Sequence, residues 1–173
     1  MVCALGIREE GCAAVIDGLE KIGLNYFIHI PDSYGSPVIR HFQEHPTVQC
    51  FSVAREEEGI GIAAGLTMGG KKGVLFYQDV GLGNSMVALT TFALAYHMPM
   101  LILAIRRGGF GEFNAAVHTY SEHAIEMVES MNLKSFVLDY RVPVEEWPLA
   151  IVRSYEYMHL THRPVVVFLN LKE

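Results

Sequence analysis

The chain has 173 residues, 51% of them hydrophobic and 18% charged, with a formal net charge of −6. That length fits one domain of ordinary size, 1–173, with room for a sizeable core. The acidic balance excludes the basic stripe that a nucleic-acid binder needs. Three cysteines (Cys3, Cys12, Cys50) have neither disulfide nor zinc spacing; they suit a reducing cytoplasm. Arg8, Glu9 and Glu10 interrupt any secretory signal. Asn84 to Ile105 carries Asn84, Ser85, His97 and Pro99, and reads as helix, break and strand rather than a membrane span. A cytoplasmic protein with neither a nucleic-acid nor a membrane partner is expected.

In chain order, Arg8 to Ile22 places Cys12, Val15, Ile16, Leu19 and Ile22 on one helical face, and Gly23 closes it. Asn25 to Ile30 is a short apolar strand that ends at the turn Pro31-Asp32-Ser33, followed by a helix to about Glu44. Thr47 to Val53 is the second strand. Glu56 to Gly69 is a helix of small and apolar residues, and Gly73 to Gln78 a third strand. Asn84 to Tyr96 is helical, Met100 to Ile105 is the fourth strand, and Gly108 to Gly111 is a glycine-rich loop. Thr119 to Met131 is helical, Ser135 to Asp139 the fifth strand, Val144 to Leu160 the last helix and Pro164 to Leu169 the sixth strand. Strands and helices in alternation predict an α/β fold. It is a single doubly wound domain with a six-stranded, mainly parallel sheet and helices on both faces. Ligands of such sheets sit beyond the C-terminal ends of the strands.

Those ends carry the polar residues. Asp32 and Ser33 follow the first strand, where a site role and a turn or cap role both remain open. Arg106 and Arg107 follow the fourth. A guanidinium there matches a carboxylate, sulfonate or phosphonate, or it serves as a solvated charge or a bridge to a partner. Either Arg106 or Arg107 is expected to read the far anionic group of a substrate, and since adjacent positions on a strand face opposite ways, Arg106 serves as the comparison for Arg107. Arg55-Glu56-Glu57-Glu58-Gly59 lies at a strand-to-helix junction, where an acidic first turn suits the helix dipole. Gly81-Leu82-Gly83-Asn84, ahead of a helix, has the composition of a backbone anion cradle. His118 and His123, five apart, do not form a metal pair on one helix face; His118 is a candidate proton donor or a helix-start residue. His41 and His45 precede Pro46 and read as contacts to a helix C-terminus, as do His159 and His162. No metal site is expected on this chain.

Four segments in register resemble the pyrimidine-binding domain of thiamine-diphosphate enzymes. They are Pro31-Asp32-Ser33, then Glu56 nine residues before Gly65 in Gly61-Ile-Ala-Ala-Gly65, then Gln78-Asp-Val-Gly-Leu-Gly-Asn84, then Arg107-Gly108. The third is similar to a segment of sulfopyruvate and phosphonopyruvate decarboxylases, from which it departs at Asp79 and Val80, where Asn and Ser are expected. The segment after Arg107-Gly108 is also less polar than sulfonate recognition would suggest. The resemblance implies that Glu56 is the activating carboxylate. It would hydrogen-bond the pyrimidine ring and promote the tautomer that lets the cofactor lose its reactive proton. Glu57 and Glu58 are left to solvent, a dipole contact or a subunit contact. Gln78, Gly81, Leu82 and Asn84 border the pyrimidine end, and Asp32, Ser33, Arg106, Arg107 and His118 are the substrate candidates.

The sequence contains no Gly-Asp-Gly. The resemblance therefore implies a separate beta subunit that carries this motif and holds Mg2+ and the diphosphate, in an alpha2beta2 or larger assembly. The expected function is the alpha subunit of a heteromeric thiamine-diphosphate-dependent decarboxylase. It would convert a sulfopyruvate- or phosphonopyruvate-like 2-oxo acid to an aldehyde and CO2, and be active only with that partner. A carboligating subunit of the same cofactor class and a non-catalytic flavodoxin-like subunit are the alternatives.

Overall fold

Runs such as Leu101-Ile-Leu-Ala-Ile105 bury every residue, and a strand can do that only between two layers of helix. The computed structural model describes residues 6–109 and 111–172, so Cys3 and Phe110 lie outside the described residues. The strands are β1 (Tyr26–His29), β2 (Gln49–Ser52), β3 (Gly73–Gln78), β4 (Leu101–Ile105), β5 (Lys134–Leu138) and β6 (Val165–Leu169). They form one sheet in the order β2-β1-β3-β4-β6-β5. Every pairing in it is parallel, including those of the edge strands.

The helices are α1 (Glu9–Ile22), α2 (Ser36–Gln43), α3 (Glu56–Met68), α4 (Gly81–Ala88), α5 (Ala115–Ser130) and α6 (Trp147–Thr161). Side chains alternate across the sheet with period two. Phe27, Val74, Phe76, Leu103 and Val167 pack with α1, α2 and α6. Ile28, Leu75, Tyr77, Ile102 and Phe168 pack with α3, α4 and α5. Leftward crossovers thus run over one face and rightward ones over the other, as right-handed connections require. The direction of travel reverses between β1 and β3, which opens a crevice at their C-terminal ends.

Two helix starts differ from the sequence expectation. The glycines of Gly81-Leu-Gly-Asn84 read as a loop before a helix, yet they are the first turn of α4, because Gly81 packs directly on α3. At Leu89–Leu94 the helix widens to a π-turn, where Thr90 and Thr91 turn their hydroxyls onto the carbonyls of Met86 and Val87 at 2.8 and 2.7 Å. α5 begins at Ala115 rather than Thr119, because the Asn114 side chain accepts the N–H of Ala116 at 3.1 Å.

Candidate cofactor site

Glu56 is the first residue of α3 and is only 8% exposed. Asn84, from the first turn of α4, donates its side-chain amide to Glu56 Oε2 at 2.9 Å. Gly81 lies against the same carboxylate so closely that a Cβ there would stand 2.5 Å from Glu56 Cγ and Oε1. Three of the sequence-predicted residues, Glu56, Gly81 and Asn84, therefore converge from the β2–α3 and β3–α4 connections. The two neighbouring acids have local duties. Glu58 accepts the backbone N–H groups of Ala54 and Arg55 at 3.2 and 3.3 Å, closing the start of α3. Glu57 pairs with Arg55 at 2.7 Å. Leu82 is wholly buried in the apolar layer beneath, beside Ile60 and Tyr77. The Tyr77 hydroxyl meets Ser85 at 3.1 Å; burial raises its pKa, and the charge of Glu56 adds to the rise.

Beside this cradle, Arg107 ties three strand ends together. One Nη1 reaches Asp32 Oδ2 at 3.1 Å and Gln78 Oε1 at 3.2 Å. Nε and Nη2 form a fork onto Glu112 at 2.8 and 3.2 Å. The guanidinium also lies 5.0 Å over the Tyr34 ring. The side chains of Asp32 and Glu112 are 2% and 0% exposed, so this is a buried ion triad. Burial alone would raise Glu112, but the hydrogen bond from Arg107 prevails and holds it below the usual carboxylate value. Asp32 also accepts the N–H groups of Tyr34 and Gly35, both at 2.9 Å. It is at once turn-former and ion partner. Ser33 is exposed, and its carbonyl accepts from Ser36.

Beneath Arg107, Asp79 is fully buried. Its oxygens accept the Ser121 hydroxyl at 2.8 Å and the Arg107 N–H at 3.2 Å. Burial raises its pKa, although these bonds pull the other way. His118 lies inside α5, and its Nε2 approaches the Glu112 carbonyl at 3.2 Å. Arg106, by contrast, turns toward the β5–β6 side of the sheet edge. His41, in the last turn of α2, and His45, just past its end, both also face Glu20 of α1, at 2.6 and 3.3 Å. Among the described residues, no group of three or more His, Cys, Asp or Glu could hold a metal ion. Among the described residues, no helix is long and apolar enough to cross a membrane.

Sequence reasoning missed Glu112, Tyr34, Ser121 and Lys172. Their roles rest on long-range partners, and only the arginines that need counter-charges hinted at them. The Glu56 cradle suits an aminopyrimidine: one carboxylate oxygen is held by Asn84, and Oε1 accepts no hydrogen bond from the chain among the described residues.

Residues 9–132 match the family model described as thiamine pyrophosphate enzyme, N-terminal TPP binding domain. Sulfopyruvate decarboxylase subunit alpha of Methanothermobacter thermautotrophicus is 33% identical over 110 residues, covering 64% of this chain and 67% of that protein. Phosphonopyruvate decarboxylase of Streptomyces viridochromogenes is 31% identical over 108 residues, 62% of this chain but 27% of that longer protein. Among solved structures, a 2-oxoglutarate:ferredoxin oxidoreductase from Magnetococcus marinus superposes with a TM-score of 0.72 at 18% identity. It covers 94% of this chain and 29% of that one, and at that identity the likeness concerns the fold.

Proposed function

Because this chain belongs to the thiamine pyrophosphate enzymes, carrying their N-terminal TPP binding domain, we propose that it works as the alpha subunit of a 2-oxo acid decarboxylase. Its cofactor is thiamine diphosphate, which when bound supplies the electron sink that decarboxylation requires. A separate chain bearing Gly-Asp-Gly holds the diphosphate and Mg2+ in an alpha2beta2 or larger complex. The names of the relatives, with their subunit alpha designation, support this division of labour. The substrate class is a 2-oxo acid with a second anionic group, in keeping with the sulfopyruvate and phosphonopyruvate enzymes it is similar to.

The observation that carries this is the Glu56 carboxylate, buried at a helix start and oriented by Asn84 under a glycine. Glu56 holds or releases a proton at the pyrimidine nitrogen, while Gly81 lets the ring approach. Gln78 has its carbonyl taken by Arg107, and its amide, without a partner among the described residues, would meet the ring edge. Arg107 has a positioning role, fixing the β1, β3 and β4 ends around the crevice, since most of its donors already serve Asp32, Glu112 and Gln78. Ser33 and His118 flank the crevice as substrate contacts.

The test is to purify the chain with a Gly-Asp-Gly partner and measure CO2 release from a set of oxo acids. Glu56→Gln should keep the complex intact and lower turnover about 10²–10⁴-fold, the range for a lost acid–base group. Hydrogen–deuterium exchange at C2 of the bound cofactor should slow in parallel. Normal exchange in Glu56→Gln together with a loss in Glu57→Gln would place the activating carboxylate one residue on.

A further inference from the structure

Arg106, just past the end of β4, lines a cavity of about 280 Å³ with Arg107, Gly108, Gly109, Asp139, Asn170 and Lys172. The cavity sits over the C-terminal ends of β4, β6 and β5; Glu56 and Asn84 are not part of its wall. Its hydrogen-bonding groups are lopsided. Among the described residues, Arg106 makes no ion pair or side-chain hydrogen bond, so its donors are unused, although its charge acts on Asp139 and Asp79. Lys172, 7% exposed, gives one donor to the Gly108 carbonyl and keeps two. Gly108 and Gly109 are both left-handed, at φ +66° and +73°, and neither N–H meets an acceptor in the chain among the described residues. Gly109 has nothing within 4 Å of where a Cβ would be, so that approach is open.

The acids nearby are already committed. Both Asp139 oxygens are held by Arg141, at 3.0 Å from Nε and 2.8 Å from Nη2. Glu112 is forked by Arg107 and lies 4.0 Å from the Lys172 ammonium. Asp79 is engaged by Ser121 and the Arg107 backbone. What remains facing the cavity is mainly donors: the Arg106 guanidinium, two protons of the Lys172 ammonium, which lies 4.0 Å from Glu112, and two backbone N–H groups, against the side-chain carbonyl of Asn170. An ammonium buried in this way carries a desolvation cost that lowers its pKa, and a bound anion would offset it.

We propose that this cavity binds a small dianionic oxyanion, a tetrahedral phosphate-, sulfonate- or phosphonate-type group, held between Arg106 and Lys172 with the Gly108 and Gly109 N–H groups beneath it. Acceptor-only oxygens with two charges match this donor set, and backbone N–H groups in a glycine turn are a recurrent way to hold an anion. The proposal does not rest on the decarboxylase function, because this chain alone builds the cavity.

The experiment is calorimetric titration of the full chain, in chloride buffer at constant ionic strength, with sodium sulfate, sodium phosphate, sulfoacetate and acetate. Saturable binding of a dianion is expected, with acetate at least about tenfold weaker. Arg106→Gln should weaken the dianion at least about tenfold, the effect of losing a charge-assisted hydrogen bond, and Arg106→Lys should restore part of it. Arg106 is only half-buried, so its variants test the site even if Lys172→Met fails to fold. Tighter sulfoacetate than sulfate would identify an organic anion as the ligand, and the reverse order a free inorganic one. No saturable heat with any probe, an unchanged isotherm in Arg106→Gln, or loss of binding in Glu56→Gln would overturn the proposal.

Discussion

Replacing Gly81 by alanine should separate folding from cofactor binding. The added methyl would lie 2.5 Å from Glu56 Cγ and Oε1 and 2.6 Å from Cδ, where carbon contacts settle at about 3.5–4.0 Å. Something must move by about 1 Å. The part displaced is not the far tip of a loose side chain: Cγ is one bond from Cβ, and the carboxylate is held by Asn84 at 2.9 Å. Overpacking of this kind costs about 1–3 kcal/mol. Alanine in place of glycine in a helix returns about 1 kcal/mol. Net stability should therefore fall by no more than about 2 kcal/mol, read by urea denaturation. If Glu56 swings aside, however, the carboxylate leaves the position set by Asn84. Thiamine diphosphate affinity and CO2 release in the reconstituted complex should then drop at least about tenfold, some 1.4 kcal/mol. Full cofactor affinity and turnover in Gly81→Ala would refute the claim that this glycine spaces the cradle.

Two more outcomes follow from the ion triad. Arg107→Met strips the counter-charge from Asp32 and Glu112, whose side chains are 2% and 0% exposed, and should cost about 3–5 kcal/mol in a denaturant melt; Arg107→Lys should recover only part, lacking the fork. A loss under about 1 kcal/mol would mean the triad is solvated. Glu112 titrates below its ordinary 4.5 because Arg107 outweighs the effect of burial. Its contribution is therefore complete above that value and is lost as the pH falls through the lower folded one. Acid denaturation curves of Glu112→Gln should be flatter than wild type in that window, and superimposable curves would exclude the assignment.

The strands were legible because burial on both faces leaves runs like Leu101 to Ile105 with no polar residue to confuse their period. Glu56 was singled out by counting back nine residues from Gly65, a spacing taken from the resemblance to thiamine-diphosphate enzymes, and the structure places it, buried, at the start of α3. The start of α4 was not. Gly81 and Gly83 have loop propensity, and only the tertiary approach of Glu56, 25 residues earlier in number, makes glycine a helix residue there. Arg107 was visible as a charge, but its partners were not. Asp32 lies 75 positions away, and nothing local marks Glu112 as its second acid. Arginine next to arginine looks redundant in sequence; in the structure the donors of Arg107 are taken by Asp32, Gln78 and Glu112, whereas those of Arg106 meet no partner among the described residues.

Asp79 shows how a departure from a family pattern acquires a physical reason. An asparagine, expected at that position, offers one acceptor and one donor group. The structure instead brings donors to it: the Ser121 hydroxyl at 2.8 Å, the Arg107 N–H at 3.2 Å, and the Val80 N–H as well. Two of these are backbone donors that cannot reverse their polarity. An asparagine would keep its Oδ1 on the Arg107 N–H and turn its NH2 onto the Ser121 oxygen, forcing that hydroxyl to stop donating here. A carboxylate accepts on both oxygens and avoids it. Gly108 belongs to the same arrangement, for a Cβ on it would stand 2.9 Å from Ser121 Cβ. Aspartate at 79, serine at 121 and glycine at 108 are thus one fitted set that seats the β4–α5 loop. That loop supplies Arg107 to the crevice on one side and the Gly108–Gly109 donors to the cavity on the other.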